Sequence, residues 1–271
     1  MKRVVTMQDL SCMGKCSLTV ALPILSAMGI ECAVLPTAVL STHTGFPKPA
    51  VMDLSRHVDD IMAHWAALEP NFDGISVGYL ASPQQCRQAA ALIETFGGEG
   101  CFVCIDPAMA DHGRLYSGLG PEHPEAVKKL CALGDLILPN LTEGALLTGM
   151  EYCPEMDAGY CREMVDELLG LGCGGVMLTG FHPTAGRIGL LGKRKGGEFF
   201  SCSQTQVPRS CHGTGDLFAA VVIGGLLRGM DAKQAGDLAC EIVRSAIEKT
   251  PADSRYGVAF EGCIAQLAAR L

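Results

Sequence analysis

The chain has 271 residues, of which 48% are hydrophobic, and a formal net charge of -8. This composition excludes a disordered chain and argues against a surface that binds nucleic acid or an anionic membrane. No apolar stretch approaches the roughly 20 residues that a membrane-spanning helix needs. Because no internal repeat or linker is evident, we expect a single domain over residues 1–271, with neither a nucleic-acid nor a membrane partner.

The amino terminus and the fourteen cysteines indicate the cellular compartment. Residues 1–5 lead directly into a strand-like run and lack the pattern of a signal peptide. The cysteines are scattered and lie mostly in apolar runs, and the pair Cys101 and Cys104 would face opposite sides of a strand. We therefore expect a cytoplasmic protein with buried, reduced cysteines that form neither disulfides nor a metal site.

The first elements alternate between strand and helix. Residues 4–7 form an apolar run that predicts a strand ending near Asp9, and residues 17–28 have the apolar spacing of a helix. A second strand is predicted at residues 32–40. Residues 41–49 are polar and then proline-rich, which indicates a loop or a flap.

The middle of the chain continues this alternation. Strands are predicted at residues 74–78, 101–105, 136–138 and 175–178, with helices at residues 54–68 and 83–96 and after Glu143. Short apolar strands alternating with helices predict an α/β fold with a mostly parallel sheet covered on both faces. In such sheets, ligands bind beyond the carboxyl ends of the strands. Polar residues follow the strands at these ends, namely Asp9, Tyr79, Asp106, Asn140 with Glu143, and Thr179 with Gly180.

The last third of the chain has a different pattern. Residues 186–204 hold two short apolar runs around a basic, glycine-containing turn, which predicts a small β-hairpin at the periphery. Helices are predicted at residues 217–227 and 232–249, followed by a final helix that ends at Leu271.

Residues 213–216 carry the strongest indication of chemistry. Gly213, Thr214 and Gly215 precede a helix, and their backbone amides would form an anion-binding site at its positive end. Asp216 falls in the first turn, where it would accept a proton from a hydroxyl nucleophile. An anion site with an adjacent base is what phosphoryl transfer to an alcohol requires. The alternative is that Asp216 only caps the helix.

Three further carboxylates suit a hard cation. Asp106, Asp111 and Glu143 offer oxygen ligands for Mg²⁺, which commonly uses one or two carboxylates together with nucleotide phosphates and water. The expected mechanism has Asp216 as the general base, the amides of residues 213–215 at the transferring phosphoryl group, and Mg²⁺ at the nucleotide phosphates.

Six segments resemble the ribokinase-like superfamily and, within it, the bacterial pyridoxal/pyridoxamine (vitamin B6) kinases. They are residues 7–9, 41–45, 78–82, 106–109, 139–143 and 213–216. The last segment is specific for the superfamily, and the first three in this order indicate the B6 branch. The resemblance implies a three-layer α/β/α sandwich and ATP-dependent phosphorylation of a 5′-hydroxymethyl group. It also implies Mg²⁺, often K⁺, and a homodimer.

The resemblance also implies roles for individual residues. Asp216 resembles the catalytic base, and Gly213, Thr214 and Gly215 resemble the anion hole. The nucleotide and metal side would consist of Asp106, Asp111, Asn140, Glu143, Thr179 and Gly180. The vitamin side would consist of Asp9, His43, Thr44, Gly45 and Tyr79, although a loop histidine such as His43 can equally be structural.

Two features differ from many relatives. Position 9 is Asp where many pyridoxal kinases have Ser, which suits an altered vitamer preference, and the flap at residues 41–49 is rich in proline instead of aromatic residues. The main alternative is a hydroxymethylpyrimidine (phosphate) kinase of thiamine synthesis, since its substrate is also a small heteroaromatic alcohol. A sugar kinase and a non-catalytic vitamin-binding protein are further alternatives. The preferred vitamer and the need for a monovalent cation stay open.

Overall fold

The computed structural model describes residues 1–153 and 156–270, so the predicted helix end at Leu271 lies outside the described residues. The described residues form eleven strands: β1 (Arg3–Ser11), β2 (Glu31–Leu40), β3 (Val51–Asp53), β4 (Gly74–Val77), β5 (Phe102–Ile105), β6 (Ala110–Asp111), β7 (Arg114–Leu115), β8 (Leu136–Ile137), β9 (Gly175–Phe181), β10 (Arg187–Arg194) and β11 (Phe199–Thr205). Nine of them build one sheet in the order β11-β10-β9-β8-β5-β4-β1-β2-β3, and β6 and β7 form a separate small hairpin.

The centre of the large sheet is parallel. Strands β9, β8, β5, β4, β1 and β2 pair in parallel, whereas β3 and the β10–β11 hairpin pair antiparallel at the two edges. All four residues of β4 are buried, as expected for a strand covered on both faces. The mostly parallel sheet and the peripheral hairpin are therefore confirmed.

Helices cover both faces of the sheet. The described helices are α1 (Leu18–Ala27), α2 (Ser55–Ala67), α3 (Pro83–Phe96), α4 (His123–Cys131), α5 (Leu141–Thr148), α6 (Ala158–Leu169), α7 (Thr214–Leu227), α8 (Ala232–Lys249) and α9 (Ile264–Ala268). One apolar core contains residues of α2 to α6, and the other contains residues of α1, α7, α8 and α9. This arrangement confirms the three-layer α/β/α sandwich. Among the described helices, none is long and apolar enough to cross a membrane.

Two strands extend further than the apolar pattern predicts. Strand β1 continues through Asp9 to Ser11, with a register shift beside Asp9, because β2 pairs with it as far as Leu40. Strand β9 continues to Phe181 because β10 pairs with it there. The proposed site residues of these strands therefore belong to the last residues of the sheet and not to flexible loops.

Candidate active site

The amino terminus of α7 presents free backbone amides at the carboxyl edge of the sheet. The helix begins at Thr214, three residues earlier than its apolar pattern predicts, and Gly213 is its N-cap residue. The amides of Gly213, Thr214 and Gly215 donate no hydrogen bond to any other described residue. They are therefore available to an anionic ligand at the positive end of the helix dipole.

Glycine occupies positions 213 and 215 for different structural reasons. Gly213 has φ +81°, a left-handed conformation, and a Cβ atom there would overlap the carbonyl oxygen of Lys15. A Cβ atom at Gly215 would meet only Asp106, with 3.9 Å to Oδ2. Gly213 is thus required by the backbone, whereas Gly215 leaves open the space between the α7 terminus and Asp106.

Asp216 is the third residue of α7 and does not cap it. The N-cap position belongs to Gly213, and no side chain makes a capping hydrogen bond there. The backbone amide of Ser17 lies near the Asp216 carboxyl group and acts to lower its pKa. Burial raises the pKa of Asp216 to about 7, and the negative charges of Asp106 and Asp9 act in the same direction.

Asp9 is held by two serine hydroxyls. It is 4% exposed, and its Oδ1 accepts a hydrogen bond from Ser17 Oγ at 2.5 Å, while Ser11 Oγ lies 3.4 Å from Oδ2. Burial raises the pKa of Asp9, and the two hydroxyls oppose this effect. Tyr79 lies near enough that the charge of Asp9 adds to the effect of burial in raising the pKa of the phenol. The structure thus brings Asp9 and Tyr79 together.

Asp106 and Glu143 form a close pair of carboxyl groups. Asp106 follows β5 and accepts one amide, that of Ala108, at 3.1 Å. Glu143 accepts three, from Met109, Ala110 and Asn140, at 2.9, 3.3 and 2.9 Å. Burial raises the pKa of both groups, and the charge of Glu143 adds to the effect on Asp106. Three backbone donors thus stabilise the charged form of Glu143, whereas one donor stabilises that of Asp106.

The third predicted metal ligand is exposed, and its charge adds to the effect of burial in raising the pKa of Glu143. Asp111 is exposed on the β6–β7 hairpin, and its carboxylate lies 3.5 Å from His112 Nε2. Within the described ranges, no three His, Cys, Asp or Glu side chains are grouped as a ready metal site. Asp106 is the member whose carboxylate faces the α7 terminus. The donor set fits a cation that one carboxylate shares with phosphates and water.

The predicted nucleotide-side residues flank β8 and β9. Asn140 donates from Nδ2 to the carbonyl oxygen of Ala110 at 2.8 Å, and it forms an isolated parallel bridge with Thr179. The amide of Thr179 donates to the carbonyl oxygen of Pro139, at 2.8 Å. Gly180 follows in β9 with φ +79°. Asn140 and Thr179 are therefore adjacent, on the Glu143 side of Asp106.

The flap at residues 41–49 is anchored by His43. This side chain is 4% exposed, its Nε2 lies 3.1 Å from the carbonyl oxygen of Arg255, and its ring centroid lies 4.5 Å from that of His212. Burial lowers the pKa of His43, and His212 adds to this effect. Thr44 and Gly45 are exposed at the turn of the flap. The contact with His212 connects the flap to the residue before Gly213.

The sequence reasoning missed three residues of this region. Ser17 would be interpreted from sequence as an ordinary N-cap, and His212 as part of the glycine-rich segment. Tyr116 follows the β6–β7 hairpin, and no sequence motif marks it as a site residue. Burial raises the pKa of its phenol, with contributions from four carboxylates including Asp106 and Glu143, and its ring lies 6.4 Å from that of Tyr79.

Comparisons with known proteins agree with this fold. A pyridoxal kinase from Lactobacillus plantarum superposes with a TM-score of 0.92 at 32% identity, covering 100% of this chain and 98% of that chain. A putative phosphomethylpyrimidine kinase from Bacteroides thetaiotaomicron, crystallised with pyridoxal, has a TM-score of 0.93 at 32% identity and covers 98% and 95%. The pyridoxal kinase PdxY of Rubrobacter xylanophilus is 26% identical over 238 residues, which is 83% of this chain and 80% of that protein.

The family model agrees with the likeness to individual proteins. The model described as phosphomethylpyrimidine kinase matches residues 25–258, which contain five of the six strands of the parallel centre in full, whereas β1 lies outside the match. The chain therefore belongs to the phosphomethylpyrimidine kinase family of ribokinase-like kinases, as the resemblance of its motifs implied.

Proposed function

We propose that this protein transfers the γ-phosphoryl group of ATP to the 5′-hydroxymethyl group of a vitamin B6 vitamer. The observation that carries the proposal is the convergence of Asp9, Asp106 and Asp216 on the free amides of the α7 terminus. Family membership supports phosphoryl transfer. The 32% identical relatives, one a pyridoxal kinase and one crystallised with pyridoxal, support a B6 vitamer as the acceptor.

Asp216 is assigned the role of general base. Its pKa near 7 allows it to accept a proton from the vitamin hydroxyl at neutral pH and to release it afterwards. The hydroxyl oxygen then attacks the γ-phosphorus, the bond from phosphorus to the bridging oxygen breaks, and ADP leaves. The proton taken by Asp216 passes to solvent. Proton transfer of this kind contributes about 10²–10⁴-fold in rate.

The backbone amides are assigned to the charge on the transferring group. The amides of Gly213, Thr214 and Gly215 would donate to its oxygens, and they are fixed before ATP arrives because Gly213 and α7 define their directions. Preorganised donors of this kind supply the larger share of catalysis in phosphoryl transfer.

The nucleotide side is assigned to the edge between Asp106 and β9. Asp106 would hold Mg²⁺ together with phosphate oxygens and water, and bound Mg²⁺ would neutralise phosphate charge. Glu143 acts indirectly, because its carboxylate oxygens already accept backbone amides, and we assign Asp111 no direct ligand bond. Asn140, Thr179 and Gly180 are assigned to nucleotide contact. A homodimer follows from the resemblance alone.

The vitamin side is assigned to Asp9, Tyr79 and the flap with His43, Thr44 and Gly45. A carboxylate at position 9 can accept from the 3-hydroxyl group of the ring or pair with a protonated pyridine nitrogen. Hydroxymethylpyrimidine, or its phosphate, is the second candidate acceptor, because the family model that matches this chain is described as phosphomethylpyrimidine kinase.

The test is ADP release from Mg-ATP with the three B6 vitamers, hydroxymethylpyrimidine, ribose and adenosine. A preference of tenfold or more in kcat/KM for one B6 vitamer, about 1.4 kcal/mol in the transition state, supports the proposal. A preference for hydroxymethylpyrimidine would keep the proposed phosphoryl transfer but change the proposed substrate. No turnover with any alcohol, while ATP and a vitamer still bind, would replace the proposal by a binding function.

A further inference from the structure

Ser17 contacts both of the acids that face the vitamin side. Its hydroxyl donates to Asp9 Oδ1 at 2.5 Å, and its backbone amide lies near the carboxyl group of Asp216, whose pKa it lowers. Ser17 is 4% exposed, so both contacts are shielded from water. One residue thereby connects two carboxylates that lie 207 positions apart in the sequence.

The ordinary role of a serine at this position is not fulfilled. Ser17 precedes α1 as its N-cap, where a serine hydroxyl normally accepts from an amide of the first turn. Here the side chain makes no capping hydrogen bond, and the hydroxyl is turned to Asp9 instead. The hydroxyl of Thr19 instead accepts a hydrogen bond from a backbone amide near the start of α1, that of Cys16, at 3.2 Å.

The backbone of Ser17 is in an unusual conformation. Its φ is 49° and its ψ is −129°, a backbone conformation that residues other than glycine rarely adopt. The surrounding chain fixes this conformation, because the amide of Lys15 donates to the carbonyl oxygen of Tyr256 and the amide of Ala21 donates to that of Ser17. Such backbone strain clusters at functional sites, where the structure around it maintains it.

We propose that Ser17 is a positioning residue that sets the geometry of Asp9 relative to Asp216. By occupying Oδ1 of Asp9, its hydroxyl leaves Oδ2, which has only the longer contact to Ser11, for the ring of the substrate. Its amide lies beside the carboxyl group of Asp216. The vitamin ring and the hydroxyl that reacts are then placed by one residue. This inference rests on the proposed function, in which Asp9 contacts the vitamin.

The two contacts of Ser17 can be separated by substitution. Ser17→Ala removes the hydroxyl that orients Asp9 and keeps the amide that contacts Asp216. We expect KM for the preferred vitamer, and the dissociation constant of pyridoxal from calorimetry, to rise about tenfold, while kcat stays within about threefold. Ser11→Ala is the matched control, since it removes a hydroxyl from the other oxygen of the same carboxylate at the longer distance, and we expect less than a threefold change in both constants.

Two further variants keep the test decisive. Ser17→Gly also lacks the hydroxyl but suits the positive φ, so it replaces Ser17→Ala if that protein does not fold. In the Asp9→Ala background, we expect Ser17→Ala to change pyridoxal affinity less than twofold, because the side chain through which Ser17 acts has been removed.

Several results would overturn the inference. Equal effects of Ser17→Ala and Ser11→Ala, a fall in kcat without a rise in KM, or a full effect of Ser17→Ala in the Asp9→Ala background would each do so. If the wild type phosphorylates a B6 vitamer and Ser17→Ala is unchanged, only the role of Ser17 fails. If the wild type neither binds pyridoxal nor phosphorylates a vitamer, the proposed function fails together with it.

Discussion

Asn140 and Glu143 each accept a hydrogen bond from the backbone amide of the other, at 3.0 Å and 2.9 Å, which closes a capping box at the start of α5. Glu143 also receives the amides of Met109 and Ala110, so the same carboxylate connects α5 to the segment that follows Asp106. The position of Asp106 at the proposed nucleotide side therefore depends on a side chain that need not contact the nucleotide itself.

Replacement of Glu143 by alanine should destabilise the fold. Glu143 is 2% exposed, and its loss leaves three buried amides without an acceptor. Unpaired buried donors cost about 1–3 kcal/mol each before relaxation, so we expect a loss of about 2–5 kcal/mol in the free energy of unfolding, measured with urea. Glu163→Ala on the exposed surface of α6 is the control and should change it by less than about 0.5 kcal/mol. A stable Glu143→Ala protein would contradict the structural role.

The two glycines of the α7 terminus should respond differently to alanine. Gly213→Ala forces a left-handed residue to carry a Cβ that overlaps the Lys15 carbonyl, so it should lower both the melting temperature and the activity. Gly215→Ala has space and lies within the helix, where alanine is favoured over glycine by about 0.5–1 kcal/mol. Its methyl group, however, would project toward Asp106. We therefore expect an unchanged or raised melting temperature and a fall of at least tenfold in kcat.

Thermal unfolding and ADP release on the same preparations distinguish these cases. If Gly215→Ala keeps full activity, no phosphoryl group passes between the α7 terminus and Asp106. If Gly213→Ala is as stable as the wild type, the left-handed turn is not required.

The strands and helices could largely be predicted from local patterns. Pro83, preceded by the capping Ser82, begins α3 where the sequence indicates, because these residues act on their immediate neighbours. The apolar residues of β4 likewise predict a buried strand, and all four residues of β4 are buried. The extension of β1 through Asp9 to Ser11 could not be predicted, since it depends on pairing with β2 rather than on the polarity of these residues.

The site could be predicted only as a set of positions at one sheet edge. The rule that ligands bind beyond the carboxyl ends of parallel strands places Asp9 and Asp106 there without any coordinates. The contacts that orient them are tertiary. The amide of Ser17 reaches Asp216, and the ring of His43 packs on that of His212, across sequence distances on which periodicity carries no information.

The rate of phosphoryl transfer should depend on the ionisation of Asp216. A base with a pKa near 7 is protonated and inactive at lower pH, so kcat/KM for the vitamer should fall as pH drops below about 7 and approach a tenfold loss per pH unit. The negative charge of Asp106 contributes to this raised pKa. Asp106→Asn should therefore move the acid limb to lower pH while it lowers the overall rate. Because both proteins are compared with the same vitamer, the titration of the substrate itself cancels. An acid limb that stays in place in Asp106→Asn would contradict the assignment.

The same raised pKa should make the nucleotide-free protein less stable as pH rises. The pKa of Asp216 is near 3.8 in the unfolded chain and about 7 in the folded protein, so between these pH values the folded state binds the extra proton. Its stabilising contribution is complete below pH 3.8 and is lost as pH rises through 7, at no more than about 1.4 kcal/mol per pH unit. Solvent reaches part of this carboxyl group, so roughly 2–4 kcal/mol over the whole interval is the expected size.

Asp216→Asn isolates this contribution. The variant keeps the shape of the side chain and cannot ionise, whereas the other carboxyls with raised pKa values, among them Asp9, titrate in both proteins. We expect urea unfolding at pH 4.5 and at pH 7.5 to show the variant gaining stability relative to the wild type by roughly 2–3 kcal/mol between the two conditions. The same variant should lose activity by two orders of magnitude or more. A stability difference that is independent of pH would mean that Asp216 is ionised in the folded protein across this range, and that its carboxylate is stabilised by the amide of Ser17 more strongly than burial disfavours it.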